Sequence, residues 1–243
     1  EEIFSLIAAI NRSQISDVQI AGFQVGLLMK GTSLDELSAF AKAMRANCVL
    51  LRPHVTAELM DTCGTGGGLS TFNISTVAKH GSRSISSLSG SADVLEALGV
   101  NINLTPQQAE RLIEDIGIAF IYAPLFHPVM CKVLPPETEL GIKTIFYTII
   151  GPLINPAFAP RHLLGVYKPE LLDTVTYVAR ELGYTNAMFV HGLDGLDEIS
   201  LLGKTRINYL KNGTVRTFEI TPEEFGMKSC SLEDIKTGTP TEN

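Results

Sequence analysis

The sequence predicts an α/β protein that consists of a small helical domain plus a larger α/β domain with a central, mostly parallel sheet. Three observations support this fold class. Amphipathic helix patterns fill residues 1–56, strand-like and helix-like segments alternate from residue 57 onward, and a glycine-rich loop follows the first strand candidate. A chain of 243 residues, 45% of them hydrophobic, is long enough for one large or two small domains.

The N-terminal region reads as three helices. Ile3, Ile7 and Ile10 are spaced for one face of a first helix. A second apolar stretch contains Val18, Ala21 and Leu28. Ser33 is expected to begin a third helix, because Glu36 stands at the capping-box position. The apolar stripe of this third helix is formed by Leu37, Phe40, Ala41 and Met44.

The α/β half begins near Ala57, with a strand candidate that ends at Asp61 and leads into the glycine-rich loop. After the loop, Ser91 is expected to cap a short helix over residues 93–98. Gly99 should end that helix, because glycine readily adopts the left-handed conformation of a helix C-terminus. A loop and a helix therefore follow the first strand.

A second helix and a second strand come next. Thr105 is followed by Pro106 and, three positions after the threonine, by Gln108, which together indicate a capped helix start. Residues 118–122 are apolar and have the character of a buried strand. Residues 124–160 are rich in proline and in segments compatible with helices.

The C-terminal part predicts another buried strand and a hairpin. Residues 187–190 form the strand candidate, and the acidic loop 194–198 follows it. Residues 207–210 and 215–220 flank Asn212-Gly213, the pair favoured in two-residue hairpin turns. The acidic loop thus lies at the end of a strand.

Composition excludes several classes of protein. A net charge of −7 argues against binding nucleic acid, because affinity for a long polyanion comes largely from Lys and Arg. No run approaches the length of a membrane span, and the N-terminus lacks a signal-peptide pattern, so we expect a cytoplasmic protein with no membrane partner. Four cysteines lack metal-ligand spacing and are expected to be unpaired thiols: Cys48, Cys63, Cys131 and Cys230.

The glycine-rich loop, residues 61–76, reads as a phosphate-binding segment. Four of the five residues 64–68 are glycine, and without side chains they let backbone N–H groups converge on an anion. Lys79 supplies a positive charge. The loop fits neither the Walker A nor the Rossmann spacing, because position 69 is leucine. A flexible glycine turn is the alternative, which the adjoining Lys-His pair and serine cluster make weaker.

Short motifs run in one order through nearly the whole chain. They are Gly64-Thr65-Gly66-Gly67, Asn73-Ile74-Ser75-Thr76, Lys79-His80-Gly81, Ser86-Ser87, Ser89-Gly90-Ser91, Phe126-His127-Pro128, Leu140-Gly141-Ile142-Lys143-Thr144, Gly151-Pro152-Leu153-Ile154-Asn155-Pro156, Gly195-Leu196-Asp197-Glu198 and Glu224-Phe225-Gly226. In sequence and in order, they resemble the anthranilate phosphoribosyltransferase family of tryptophan biosynthesis.

The resemblance implies a fold and an activity. The activity would be Mg²⁺-dependent transfer of phosphoribosyl from phosphoribosyl pyrophosphate (PRPP) to anthranilate, with release of pyrophosphate. Residues 1–56 with about 124–160 would form the helical domain, and residues 57–123 with about 161–243 the PRPP-binding α/β domain. The active site would lie in the cleft between the domains, and N-terminal helices would join two copies into a homodimer.

The resemblance also implies roles for individual residues. PRPP would be bound by Gly64, Gly67, Thr71, Asn73, Ser75, Thr76, Lys79, His80, Gly81, Ser82, Arg83, Ser86, Ser87 and Ser91. Mg²⁺ would be held by Ser75, Asp197 and Glu198. The acceptor would contact Gly64, His80, Ser82, His127, Gly151 and Pro152. The reaction requires no covalent nucleophile, and Cys63, which has no evident activating partner, is interpreted as structural.

The acceptor half departs from the family pattern. The family's Asp between Gly67 and Gly68 is absent, and Ser82 and Tyr147 stand where the family has Asn. The Arg that helps to bind anthranilate's carboxylate aligns with Glu137, and one carboxylate repels another. Anthranilate and another aromatic amine therefore both stay open as acceptors. A pyrimidine nucleoside phosphorylase and a non-catalytic binding paralogue are further alternatives.

The chain is shorter than the resemblance leads one to expect. The loop ends near Thr76 and the Lys79 segment starts at Val77, which leaves no room for the helix that a parallel crossover needs. The family has a helix at this point and also continues beyond Asn243. We expect segments at 76–77 and at the C-terminus to be missing from this sequence.

Overall fold

The N-terminal helices are present as expected. A computed structural model describes residues 1–64, 78–83 and 90–235, together with Thr239 and Thr241. The first three helices are α1 (Glu2–Asn11), α2 (Asp17–Lys30) and α3 (Leu34–Ala46). The helices α2 and α3 begin with capping boxes at Ser16 and Ser33. In each box the serine hydroxyl accepts a hydrogen bond from the backbone N–H three residues later, and the side chain of that later residue accepts one from the serine backbone N–H. The expected helix start at Ser33 is confirmed.

The buried face of α2 differs from the apolar stretch in its sequence. Its buried residues are Ile20, Gln24 and Leu27, whereas Val18 and Leu28 are exposed. The side chain of Gln24 donates to the Val133 backbone oxygen at 2.7 Å, so α2 packs on the proline-containing segment through a polar residue. This contact sets the rotation of the helix and leaves apolar residues on its outer surface.

Seven strands lie in the described part of the chain. They are β1 (Met60–Gly64), β2 (Ala78–Gly81), β3 (Ala119–Tyr122), β4 (Arg161–Gly165), β5 (Asn186–Gly192), β6 (Thr205–Lys211) and β7 (Thr214–Ile220). The larger sheet has the order β1-β4-β5-β6-β7, with β1, β4 and β5 parallel and the β6–β7 hairpin antiparallel at one edge. The strands β2 and β3 form a second, parallel pair. The prediction of a mostly parallel sheet is confirmed.

Further helices connect these strands. They are α4 (Ser91–Ala97), α5 (Pro106–Ile116), α6 (Ala123–Phe126), α7 (Met130–Leu140), a π-helical turn (Phe146–Ile150), α8 (Gly151–Leu153) and α9 (Leu171–Glu181), with 3-10 turns at Pro222–Phe225 and Leu232–Ile235. The start of α5 at the Thr105 cap is confirmed. Ser91 is the first helical residue of α4 and Gly90 is its cap, so the expected start was late. The first strand also runs past Asp61 to Gly64.

The core joins the helical segments to the larger sheet. Phe40 of α3 packs edge-on against Phe146, with ring centroids 5.5 Å apart. Arg45 at the end of α3 lies 5.0 Å from the ring centroids of both Phe158 and Tyr184. The Arg45 Nε also donates to the Leu153 backbone oxygen at 3.1 Å. Residues 124–160 are thereby held between the N-terminal helices and the sheet. Within the described residues, no helix is long and apolar enough to span a membrane.

Candidate active site

The candidate site lies where β1 and β4 end at the same edge of the sheet. Asp197, in the loop after β5, is almost fully buried between them. A β-carbon built on Gly64 would lie 2.7 Å from Asp197 Oδ2, and one built on Gly165 would overlap the Asp197 backbone oxygen. Only residues without a side chain allow this approach. The start of the glycine-rich loop and the acidic loop therefore meet at Gly64.

The acidic loop is held by its own hydrogen bonds. The Leu196 backbone oxygen accepts from Gly192 N at 2.8 Å, and Asp194 Oδ1 accepts from Leu196 N at 3.1 Å. The Ser200 hydroxyl also donates to the Asp194 carboxylate. These bonds close the turn, so the position of Asp197 is set by the backbone around it.

Lys79 and His80 bring β2 against the end of β1. The Lys79 ammonium is buried and donates to the Thr62 backbone oxygen at 2.8 Å. The His80 backbone N–H donates to Asp61 Oδ1 at 3.0 Å, and Asp61 is fully buried. A positive side chain therefore lies next to the strand that leads into the glycine-rich loop, as the phosphate-binding interpretation requires.

His80 and His127 form a buried pair. Their Nε2 atoms are 3.0 Å apart, so one imidazole donates to the other. Burial lowers the pKa of His127 to about 3, and burial together with His127 lowers the pKa of His80 well below its usual range. Both rings are consequently neutral at pH 7. The His127 Nδ1 atom is buried and has no hydrogen-bond partner among the described residues.

Cys63 has a neighbour that the sequence did not reveal. Its sulfur lies 3.2 Å from His162 Nε2, and it also contacts the Pro152 backbone oxygen at 3.8 Å. Burial and Asp61 raise the Cys63 pKa well above its ordinary value, while burial lowers the His162 pKa. The pair is therefore a neutral thiol and a neutral imidazole, which gives no activated nucleophile.

The helical segment 124–160 also reaches the site. Asn155 is fully buried, and its side-chain amide donates to the Ala78 backbone oxygen at 2.7 Å. Gly151 begins α8, and a β-carbon there would lie 3.6 Å from the Phe146 backbone oxygen. Pro152 thus lies against Cys63 at the end of β1, and β2 is fixed to this segment through Asn155.

Three further residues that the sequence assigned to PRPP lie near α4. Arg83 donates to the Glu96 carboxylate, with Nη2 2.8 Å from Oε1, and its Nε donates to the Tyr122 hydroxyl at 3.2 Å. Ser82 is exposed and donates to the Arg83 backbone oxygen at 3.1 Å. Ser91 is the first residue of α4. Arg83 is therefore bound to a carboxylate of its own chain.

Glu137 is buried in the helical region. Its Oε1 accepts from Gln24 Nε2 at 3.1 Å, and its Oε2 from Thr144 N at 3.3 Å; the Thr144 hydroxyl also donates to Oε1. Burial, partly offset by these donors, raises the pKa of Glu137 above its ordinary value. The carboxylate at the position of the family's Arg is thus tied to α2 and to the segment after α7. Its role at the acceptor stays a prediction.

Several residues assigned from the sequence lie outside the described part of the chain. These are Gly67, Thr71, Asn73, Ser75, Thr76, Ser86 and Ser87. Their roles stay predictions. The structure adds Asp61 and His162, which sequence reasoning did not assign. Asp61 could have been suspected as a carboxylate at a buried strand end, whereas His162 had no signal because β4 was not predicted as a strand.

Asp197 and Glu198 fit a Mg²⁺ ion. Adjacent carboxylates supply the hard oxygen ligands that Mg²⁺ prefers, and this ion is typically held by one or two carboxylates plus phosphate oxygens. At the start of the glycine-rich loop, Gly64 leaves room for the Asp197 carboxylate, and Gly165 leaves room for the Asp197 backbone oxygen. Both the donor atoms and their placement are therefore suitable for an ion that also contacts a diphosphate.

Models of two domains match the chain. Residues 1–48 match the helical bundle domain of a glycosyl transferase family, and residues 56–243 match the a/b domain of the same family. The anthranilate phosphoribosyltransferase of Thiobacillus denitrificans is 45% identical over 255 residues, which cover 100% of this chain and 74% of that protein. That of Endomicrobium trichonymphae is 48% identical over 241 residues, which cover 94% of this chain and 71% of that protein.

Solved structures give the same result. The crystal structure of anthranilate phosphoribosyltransferase from Thermus thermophilus has a TM-score of 0.87 at 39% identity and covers 99% of this chain and 75% of that one. The Saccharomyces cerevisiae enzyme in complex with PRPP and Mg has a TM-score of 0.85 at 26% identity. This match covers 99% of the present chain and 72% of the yeast chain.

Both domain models, the identities and the structural similarity extend over the helical and α/β parts alike. The chain therefore belongs to the anthranilate phosphoribosyltransferase family.

Proposed function

We propose that this protein transfers phosphoribosyl from PRPP to anthranilate in a Mg²⁺-dependent reaction that releases pyrophosphate. The observation that carries the proposal is the placement of Asp197 against Gly64, which joins the acidic loop to the start of the glycine-rich loop. The names of the relatives and the PRPP and Mg complex of the yeast enzyme support the same donor and metal.

On the donor side, the residues position and bind the diphosphate. Asp197 and Glu198 would hold Mg²⁺, which when bound offsets the negative charge of the diphosphate. Lys79 carries three N–H donors, and its bond to Thr62 leaves it able to donate to an anion as well. Because charge develops on the leaving pyrophosphate, a buried ammonium fixed by β2 stabilises that charge without having to reorganise.

The chemistry itself is a displacement at the anomeric carbon. The amine nitrogen forms a bond to this carbon while the bond to the diphosphate oxygen breaks, and the nitrogen then loses a proton. Neither His80 nor His127 is suited to accept that proton at neutral pH, because burial keeps both pKa values low. The site therefore accelerates the reaction mainly through positioning and electrostatic stabilisation.

On the acceptor side, His127 supplies a polar atom with no other partner. If His80 donates to His127 Nε2, then His127 Nδ1 carries a proton and can donate to a carboxylate. In the opposite arrangement, Nδ1 is an acceptor for the amine N–H. Either arrangement gives a contact to an aromatic amine that bears an acid group.

The domain division and the oligomeric state are part of the proposal. The contacts of residues 124–160 with α2 and α3 support assigning them to the helical domain with residues 1–56. The outer face of α2 carries an apolar stripe, in which Val18 is 82%, Val25 41% and Met29 82% exposed. Their spacing of seven and four residues places them on one helix face, which a second copy would cover.

The proposed location is the cytoplasm. All four cysteines are free thiols in the structure: Cys48, Cys63, Cys131 and Cys230. Unpaired thiols are typical of a reducing compartment, because oxidising compartments favour disulfides. This agrees with the cytoplasmic setting of amino-acid biosynthesis that the sequence resemblance implies.

Release of pyrophosphate from PRPP tests the proposal and its alternatives together. Protein, PRPP and Mg²⁺ are incubated with anthranilate, with other aromatic amines, or with no acceptor. Pyrophosphate released with anthranilate supports the proposed reaction. Release only with another amine would mean that the protein uses PRPP as the donor but an acceptor other than anthranilate. Phosphorolysis of pyrimidine nucleosides without PRPP, or no turnover by folded protein, would contradict the proposal in favour of a phosphorylase or a binding paralogue.

A further inference from the structure

Three possible metal ligands converge beside the glycine-rich loop, apart from the carboxylates proposed for Mg²⁺. Asp61, Cys63 and His162 each offer one atom, and the three atoms lie within 4.8 Å of one another. Asp61 and Cys63 alternate on β1 and so point to one face of the sheet, and His162 of β4 pairs with Asp61 in the strand register. The cluster is therefore built into two paired strands.

The separations suit a tetrahedral ion. With bonds of about 2.3 Å to sulfur and about 2.0 to 2.2 Å to nitrogen and oxygen, Zn²⁺ separates its ligand atoms by about 3.4 to 3.6 Å. The Cys63 Sγ to His162 Nε2 distance is 3.2 Å, and the His162 Nε2 to Asp61 Oδ2 distance is 4.0 Å. The third separation, between Cys63 Sγ and Asp61 Oδ2, is at most 4.8 Å, so side-chain movements of up to about an ångström would bring all three atoms into bonding distance.

One of these atoms lacks a partner. Asp61 is fully buried; its Oδ1 accepts from the His80 backbone N–H, whereas its Oδ2 has no hydrogen-bond partner among the described residues. A buried carboxylate oxygen without a donor costs free energy, and folded proteins rarely leave one in that state. The unpartnered oxygen is 4.0 Å from the same His162 nitrogen that contacts Cys63. A cation between the three groups would satisfy it.

The surrounding charge favours a cation over an anion. The charged groups that act on the Cys63 sulfur are one cation, Lys79, and three carboxylates, Asp61, Asp197 and Glu198. The cations that act on His162 are Arg45 and Lys79. A thiolate and the Asp61 carboxylate would together neutralise a divalent ion.

We propose that Asp61 Oδ2, Cys63 Sγ and His162 Nε2 form a binding site for a thiophilic divalent cation of the Zn²⁺ class. Thiolate and imidazole ligands select such ions over Mg²⁺, which prefers oxygen. On binding, the Cys63 S–H bond breaks and the proton passes to the buffer, while the sulfur forms a bond to the metal. The site goes beyond phosphoribosyl transfer and does not depend on the identity of the acceptor.

Cobalt is the probe that identifies the ligands. Co²⁺ is titrated into the full chain without added Mg²⁺, and the thiolate-to-cobalt charge-transfer band is followed in the near ultraviolet together with the visible d–d bands. The variants are Cys63→Ser and His162→Gln. The matched control is Cys48→Ser, because Cys48 is also a partly buried free thiol but does not belong to the cluster. Circular dichroism checks that each protein is folded.

We expect wild-type protein and Cys48→Ser to bind one equivalent of Co²⁺ with the thiolate band, and Zn²⁺ to displace it. Cys63→Ser should lose the band, and His162→Gln should weaken binding at least about tenfold. Calorimetry of wild-type protein in two buffers of different ionisation enthalpy should show about one proton released per Zn²⁺.

Three results would overturn the proposal. One is folded wild-type protein that binds Co²⁺ without a thiolate band, as binding to Asp197 and Glu198 alone would give. Another is a band that survives Cys63→Ser. The third is Zn²⁺ binding to wild-type protein without proton release, a measurement that needs no variant and so stands even where a substitution prevents folding.

Discussion

The Asp197 carboxylate lies against the α-carbon of Gly64, so close that a β-carbon at position 64 would come within 2.7 Å of its Oδ2. This contact brings the end of β1 and the acidic loop together. It predicts the effect of a single methyl group: Gly64→Ala should push the Asp197 side chain out of place.

We expect Gly64→Ala to lower kcat/KM for PRPP by about 100-fold, because small displacements of positioning groups have effects of that size. The measurement is steady-state kinetics at several Mg²⁺ concentrations. Gly203→Ala is the control, since a β-carbon there meets nothing within 4 Å and the backbone has no positive φ. If Gly64→Ala retained full activity, the placement of Asp197 would not matter to the reaction.

His127 predicts a loss of stability in acid. Burial lowers its pKa from 6.5 to about 3, so the unfolded chain takes up a proton between these pH values that the folded chain does not. Stability is therefore unaffected by this group above about pH 6.5 and falls as the pH decreases toward 3. At pH 5, the contribution of this one histidine is about 2 kcal/mol.

Urea unfolding at pH 7 and pH 5 checks this prediction. The free energy of unfolding lost between the two pH values should be smaller by about 2 kcal/mol in His127→Gln than in wild-type protein. His54→Gln is the matched control, because His54 is exposed and its loss should leave the difference unchanged. An unaltered pH dependence in His127→Gln would show that the ring is not buried in its neutral form.

Glu137 predicts that removing a charge stabilises the protein. Its pKa is raised by burial, so folding becomes less favourable as the pH rises above the ordinary value of 4.5 and the unfolded chain ionises. Glu137→Gln removes this effect, and the oxygen of the new amide can still accept from Gln24 or from Thr144. We expect a gain of about 1 kcal/mol at pH 7.

Thermal and urea unfolding from pH 4 to pH 8, with Glu139→Gln as control, distinguish this effect from a general effect of charge. Glu139 lies on the same helix and is exposed. The gain in Glu137→Gln should grow as the pH rises, while the control should stay near zero. A destabilised Glu137→Gln would mean that the ionised carboxylate is the form that the Gln24 and Thr144 donors require.

The α2 stripe predicts that one charge would separate the proposed dimer. Met29 is 82% exposed at the end of the stripe, and Met29→Glu would place a carboxylate in a contact that a second copy covers. We expect sedimentation equilibrium to show a dimer for wild-type protein and a weaker association, by at least about tenfold, for Met29→Glu. Leu98→Glu, 74% exposed at the end of α4, should leave the dimer intact. A monomeric wild-type protein would contradict the proposal.

Local sequence signals accounted for much of the fold. Capping boxes gave the starts of α3 and α5, and Asn212-Gly213 gave the β6–β7 hairpin, because each depends on residues within a few positions. The strand β4 was missed, since Arg161 and His162 make its first half polar. It is a strand because it pairs with β1 and β5 on both sides, which is a long-range property.

The same division holds for the candidate site. The motifs placed Lys79, His127 and Asp197 in one site by resemblance, and the structure brings these segments together around the end of β1. The Cys63 and His162 contact, and the bond between Gln24 and Glu137, join residues 99 and 113 positions apart. Each pair is formed by segments of one domain that are far apart in sequence, so no local spacing could reveal it.

The most direct test of the proposed function follows the loss of anthranilate fluorescence by the protein with PRPP and Mg²⁺, in parallel with Asp197→Asn. The proposal predicts a loss that requires both PRPP and Mg²⁺, with Asp197→Asn needing at least about tenfold more Mg²⁺ for the same rate. Unchanged fluorescence in the presence of folded protein, PRPP and Mg²⁺ would contradict anthranilate as the acceptor.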